Sequence, residues 1–92
     1  SLSWIVPDDV LTRYANNLVV QHTETEFILS FFEYYPPILL GDIEDIVTKI
    51  EKMESVEAKC VARIVISLEK MQSIIEALQT NYEKFASKTE SE

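Results

Sequence analysis

The spacing of hydrophobic residues changes period at Ser67. Before it, residues 60–66 form a β-branched run interrupted by one charge, Arg63, a pattern typical of a strand that is covered on at least one face. After it, apolar residues recur at helical spacing: Met71, Ile74, Ile75, Leu78, Tyr82 and Phe85. The pattern predicts a strand over 59–67 and a long amphipathic helix over 68–86, with the Ser67 hydroxyl as its N-cap.

Residues 14–35 contain two apolar runs on either side of Glu24-Thr25, which predict a β-hairpin closed by His22 and Phe27. Its first face carries Leu18, Val20, His22, Phe27, Leu29 and Phe31, continued in the later strand by Cys60, Ala62, Ile64 and Ile66. Its second face carries Val19, Gln21, Ile28, Ser30, Phe32 and Tyr34, continued by Arg63. The first face is the more apolar, so we expect the C-terminal helix to cover it.

The remaining segments connect these elements. Residues 1–13 are predicted to form an N-terminal arm that docks Trp4 on the domain or on a neighbouring subunit, and residues 43–53 a short helix capped by Asp42. The polar tail after Phe85 is expected to fray. Strands followed by a closing helix predict one α+β domain over residues 1–92, with an antiparallel sheet and the C-terminal helix packed on one of its faces.

The second face raises the question of self-association. Each large apolar side chain left in water there forfeits about 1.5–3 kcal/mol, so we expect the middle segment, the N-terminal arm or a second subunit to cover it. Arg63 is expected to pair with Glu33 or with an acid of a partner subunit. The candidate interface residues are Trp4, Val19, Ile28, Phe32, Tyr34 and Arg63.

Charge narrows the range of partners. The net charge of −8 repels phosphate and anionic lipid, so we expect no nucleic-acid or membrane partner. No run of about 18 apolar residues and no signal peptide is visible, so a cytoplasmic location is the default expectation.

Candidate chemistry is sparse. His22, Glu24 and Glu26 form an H-x-E-x-E pattern, but the predicted turn breaks their alternation, which favours a structural histidine over a metal site. Cys60 begins an apolar strand and is interpreted as a buried structural thiol, and the single glycine excludes a phosphate-binding glycine loop. We therefore expect neither an enzyme nor a cofactor.

The Tyr34-Tyr35-Pro36-Pro37 stretch is the candidate peptide-binding surface, because aromatic side chains beside prolines recognise extended peptides. The alternative interpretation is that these residues only pack the end of a strand.

Three blocks, FFEYYPP, ARIVIS and ALQTNYEKF, resemble a family of short bacterial and archaeal proteins known only as a domain of unknown function. The resemblance extends over about residues 15–85 and implies no catalytic residues. More loosely, hairpin strands followed by a helix in a small acidic oligomer resemble the SecB-type export chaperone fold.

These observations favour a non-enzymatic, homo-oligomeric interaction or scaffold protein, with chaperone-like binding of extended polypeptides as the specific form. The alternative is a small ligand-binding or catalytic subunit whose pocket forms between chains from His22, Arg63 and Cys60. A third interpretation is an accessory module of a larger complex, with a different protein on the second face.

Overall fold

A computed structural model of the chain describes residues 1–36, 39–52 and 56–90. Its elements in chain order are β1 (Asn17–His22), β2 (Glu26–Glu33), α1 (Ile43–Lys52), β3 (Lys59–Ser67) and α2 (Leu68–Glu90). The strands form one antiparallel sheet in the order β1-β2-β3. The predicted α+β class, with a hairpin, a further strand and a long C-terminal helix, is confirmed.

The turn between β1 and β2 is held by Thr23. Its N–H donates to the Glu26 carbonyl at 2.8 Å, and its hydroxyl accepts from the amides of Thr25 at 3.3 Å and Glu26 at 3.1 Å. The rings of His22 and Phe27 lie 5.9 Å apart across the two strands. A threonine hydroxyl that bonds amides two and three residues ahead stabilises a tight turn, and the predicted turn at Glu24-Thr25 is confirmed.

Helix α1 begins at a capped N-terminus. The Asp42 carboxylate accepts from the Asp45 N–H at 2.9 Å, and the Asp42 carbonyl accepts from the Ile46 N–H at 3.0 Å. Gly41 precedes the cap with φ of 123°, a conformation that disfavours every residue with a Cβ. The predicted cap is therefore confirmed, while Met53, the last residue of the predicted helix, lies outside the described residues.

Replacing Asp42 with alanine is expected to destabilise α1 by about 1 kcal/mol, because an N-terminal amide loses its side-chain acceptor. Amide hydrogen exchange within residues 43–52 measures the effect. Asp42→Asn is the matched control, since asparagine caps as well as aspartate, and equal protection in the two variants would contradict the capping role.

Strand β3 passes directly into α2, because Ser67 ends the strand and Leu68 begins the helix. Ser67 occupies the predicted N-cap position, where extended backbone geometry is usual. Its hydroxyl, however, accepts no hydrogen bond from the Glu69 or Lys70 N–H in this described segment, so the expected capping hydrogen bond is not formed. The helix also continues to Glu90 rather than ending at residue 86. The expected fraying after Phe85 was wrong because residues 86–90 contain no glycine or proline, and the Thr89 hydroxyl donates to the Phe85 carbonyl at 3.0 Å.

The fold divides into two compact units. The first contains Ser1–Leu18 and Phe31–Ala62, and the second contains Val19–Ser30 and Arg63–Glu92. In the second unit Leu29 and Ile66 are the buried apolar side chains of the described residues, and both belong to the first face. Two α2 side chains, Met71 and Ile74, are half-buried. The described core therefore lies on the face predicted for the helix, and a single domain over 1–92 stays a prediction.

Candidate interaction surface

Asn16 holds the start of the segment that follows β2. Its N–H donates to the Phe32 carbonyl at 3.0 Å. Its side-chain amide accepts from the Tyr34 N–H at 3.0 Å and donates to the Tyr34 carbonyl at 2.6 Å. A side-chain amide that bonds both backbone groups of one residue acts as an additional peptide unit of the ladder. Tyr34 is therefore fixed beyond the last residue of β2.

Beside this clamp the rings of Tyr14 and Tyr35 stack, with centroids 5.8 Å apart and an interplanar angle of 11°. Both side chains are exposed, and so is Pro36. We call Tyr14, Tyr35 and Pro36 the tyrosine platform. Of the other predicted peptide-binding residues, Tyr34 is half-buried and Pro37 lies outside the described residues.

Two members of this site escaped the sequence interpretation. Asn16 and Tyr14 precede β1, and they contact residues 18 and 21 positions later, respectively. The available signal was an Asn-Asn pair at the start of a strand, because asparagine side chains often bond nearby backbone. The Asn-Asn pair does not indicate, however, that the Asn16 side chain bonds the backbone of a residue 18 positions later.

The N-terminal arm presents apolar side chains to solvent. Trp4 is 88% exposed, and it shares this exposure with Leu2, Ile5, Val6, Val10 and Leu11. The expectation that Trp4 docks on its own domain was wrong. Pro7 has no N–H to donate to a neighbouring strand. The Val10 N–H donates to the Pro7 carbonyl at 3.2 Å, so residues 7–10 form a turn instead of pairing as a strand. Docking of Trp4 on a neighbouring subunit stays a prediction.

The predicted interface on the second face is unevenly covered. Ile28, Phe32 and Tyr34 are half-buried, whereas Val19 and Arg63 are exposed. The use of these residues as an interface between subunits stays a prediction.

Arg63 bonds a serine rather than an acid. Its Nε–H donates to the Ser30 hydroxyl oxygen at 3.2 Å, and Ser30 is 5% exposed. The predicted ion pair with Glu33 is not formed among the described residues. Ser30 lies on the second face together with Arg63, whereas Glu33 lies on the first face by strand alternation, so the expectation of Glu33 was wrong. An acid from a partner subunit stays a prediction.

The alternative interpretation was a pocket formed between chains from His22, Arg63 and Cys60. His22 is the last residue of β1, Cys60 is the second residue of β3, and both are exposed. The prediction of a buried thiol was wrong, because Cys60 stands near the start of a strand at the edge of the sheet. Its Sγ lies 3.6 Å from the Ala62 carbonyl. A pocket between chains stays a prediction.

No group of three or more His, Cys, Asp or Glu residues in the described ranges is placed to hold a metal ion. None of the helices described has the length and apolarity needed to cross a bilayer.

Comparison with known families places the chain. The model of a protein of unknown function, DUF3467, matches residues 5–91. The chain belongs to the DUF3467 family. This confirms the predicted membership of a family of unknown function, and the match extends from Ile5 in the arm to the residue after α2.

Neither the curated proteins nor the solved structures contain a match to the chain. The architectural resemblance to the SecB-type fold therefore stays a prediction. The description of the DUF3467 family assigns no residue a role, so the candidate surface rests on geometry alone.

Proposed function

We propose that this member of the DUF3467 family is a non-enzymatic, homo-oligomeric interaction protein that binds extended polypeptide segments at the tyrosine platform. The observation that carries the proposal is the stacked, exposed pair of Tyr14 and Tyr35 beside Pro36. Peptides in an extended or polyproline conformation dock on surfaces lined by aromatic rings.

The platform is organised before any ligand arrives. The Tyr14 and Tyr35 rings are already stacked, and the Asn16 amide fixes the backbone of Tyr34 next to them. Side chains that are ordered in advance lose less conformational entropy on binding. This favours recognition of a flexible chain, which must itself be ordered.

Charge favours one class of peptide. The chain carries a net charge of −8, and such a field attracts basic ligands and repels acidic ones. The preferred ligand is therefore an extended segment that combines prolines or apolar residues with lysine or arginine.

The homo-oligomeric part of the proposal is supported by the amount of apolar side chain that the chain leaves in water. Exposed apolar residues occur in the arm, in the sheet and along α2, and large contiguous apolar surfaces on a soluble protein mark interaction sites.

Titration with a proline- and lysine-containing peptide tests the binding proposal, with Trp4 fluorescence and amide NMR shifts as readouts. Tyr35→Ala is expected to weaken the affinity about tenfold or more, because an aromatic anchor contributes about 2 kcal/mol at the centre of an interface. The control is His22→Ala, which removes an exposed ring at the turn of the hairpin and should leave the affinity unchanged.

Shifts confined to residues 14–16 and 33–36 and lost in Tyr35→Ala would support the platform. Unchanged shifts at saturating peptide, or equal weakening in both variants, would refute it.

A further inference from the structure

The apolar residues of α2 follow the spacing of a coiled-coil seam. Successive positions are separated alternately by three and four residues, and they are Leu68, Met71, Ile75, Leu78, Tyr82 and Phe85. This alternation, with a mean of 3.5 residues, places side chains on one line along a helix that faces a second helix. The line continues through almost the whole of α2.

The chain covers this line only around Met71. Met71 is half-buried, and so is Ile74, which lies beside the line, whereas Leu68 at the start of the line is 44% exposed. Further along, Leu78 is 66% exposed, Tyr82 64% and Phe85 66%. We call Ile75, Leu78, Tyr82 and Phe85 the open seam.

We propose that the open seam packs antiparallel against the same seam of a second copy of this chain, about a two-fold axis at Thr80. The proposal rests on the homo-oligomer proposed above and names the surface that forms it. With the axis at Thr80, Ile75 lies opposite Phe85 of the other copy. Leu78 likewise lies opposite Tyr82.

The register is self-complementary, which favours a second copy over an unrelated protein. Each pair places one aliphatic side chain against one aromatic ring. Both pairs are generated twice by the same axis, as a two-fold symmetric interface requires. The aliphatic and aromatic positions of the open seam therefore complement those of a second copy.

The open seam offers apolar surface for such an interface. Ile75 is 46% exposed, and Leu78, Tyr82 and Phe85 are each about two-thirds exposed. Packing against a second helix removes this apolar area from water, which is the main driving force of protein association.

The charges of α2 do not oppose the pairing. The Gln72 amide donates to Glu76 at 3.4 Å and the Gln79 amide to Glu83 at 2.9 Å, and both glutamates lie on the side of the helix away from the seam. The residues that flank the centre of the seam, Gln79 and Asn81, are uncharged. A chain with a net charge of −8 therefore brings no acidic side chains together at this centre.

Disulfide trapping tests the register. In a Cys60→Ser background, chains carrying Leu78→Cys are mixed with chains carrying Tyr82→Cys and a mass tag, allowed to exchange, and oxidised. We expect the main product to join position 78 of one chain to position 82 of the other. The matched control mixes Glu76→Cys with Lys84→Cys. These two positions are related by the same axis at Thr80 but lie on the opposite face of α2, so they should not cross-link.

Each outcome decides the proposal. Dominant 78–78 and 82–82 products indicate a parallel pair and overturn the antiparallel register, and a yield no higher than the control overturns the seam. Light scattering adds an independent measurement, because Leu78→Glu with Tyr82→Glu is expected to halve the solution mass of a dimer. If that variant unfolds, the cross-link alone decides.

Failure of the seam is distinguishable from failure of the proposed function. A dimer that persists in the doubly charged α2 variant but dissociates in Phe32→Glu refutes the seam and leaves the homo-oligomer intact. A wild-type protein that is monomeric at all concentrations refutes the seam and the homo-oligomer together. Peptide binding at Tyr35 is measured separately and decides the platform in either case.

Discussion

Replacing Leu29 with alanine is expected to lower the free energy of unfolding by about 2–5 kcal/mol. Leu29 is 6% exposed and is one of two buried apolar side chains among the described residues, the other being Ile66. Deleting its isopropyl group removes apolar burial and leaves a cavity at the centre of β2. Since a domain is stable by only about 5–15 kcal/mol, this single change should remove a large fraction of the stability.

Urea unfolding followed by far-UV circular dichroism measures the effect of Leu29→Ala. Leu40→Ala is the matched control, because it makes the same chemical change at an exposed position and should alter stability by no more than about 0.5 kcal/mol. Equal losses in the two variants would show that the core does not centre on Leu29.

Arg63→Leu is expected to lower the free energy of unfolding by about 1–3 kcal/mol. The Arg63 Nε–H is the hydrogen-bond donor to the Ser30 hydroxyl oxygen, and Ser30 is buried. Without the guanidinium, this hydroxyl keeps its desolvation cost and loses its partner. Leucine retains part of the apolar stem, so the measurement isolates the hydrogen bond better than alanine does.

A double-mutant cycle separates the hydrogen bond from the charge. Adding Ser30→Ala to Arg63→Leu should recover most of the lost stability, because removing both partners leaves no unsatisfied group. Arg13→Leu removes the same charge from the exposed arm and should be nearly neutral. If the double variant is no more stable than Arg63→Leu, the loss of stability does not come from an unsatisfied Ser30 hydroxyl.

The elements of the fold were predictable where a local sequence pattern had a single structural explanation. The change of period at Ser67 marked the junction of β3 and α2, because a strand and a helix require different spacings of apolar residues. Asp42 was predictable as a cap because aspartate before a helical pattern satisfies a free amide. The length of α2 was also accessible, since no glycine or proline stops the helix after Phe85.

Side-chain partners were less predictable. Arg63 was expected to find an acid, yet it bonds Ser30, 33 positions away on the neighbouring strand. Strand alternation assigns Arg63 to a face of the sheet. Which hydrogen-bond acceptor on that face lies within reach of its guanidinium depends on the register of β3 against β2. That register is set by packing and by no local sequence signal.

In the candidate site, too, the residues with a local sequence signal were predictable and those that depend on distant contacts were not. Tyr35 and Pro36 were identified from a composition that stands out in the sequence. Tyr14 was not, because its contribution depends on the return of the chain beside β2. The exposure of Trp4 and Cys60 also differed from expectation, since apolar composition predicts burial only where the fold supplies cover.

The direct passage from Ser67 to Leu68 couples the rotation of α2 to the pleat of β3. An inserted residue at this junction would turn the helix by about 100° and shift it by about 1.5 Å. Met71 would then leave the side of the helix that its own chain covers, and the open seam would rotate with it. Chain length at this point is therefore constrained as strictly as the identity of a core side chain, and indels should be tolerated in the Glu24-Thr25 turn but not here.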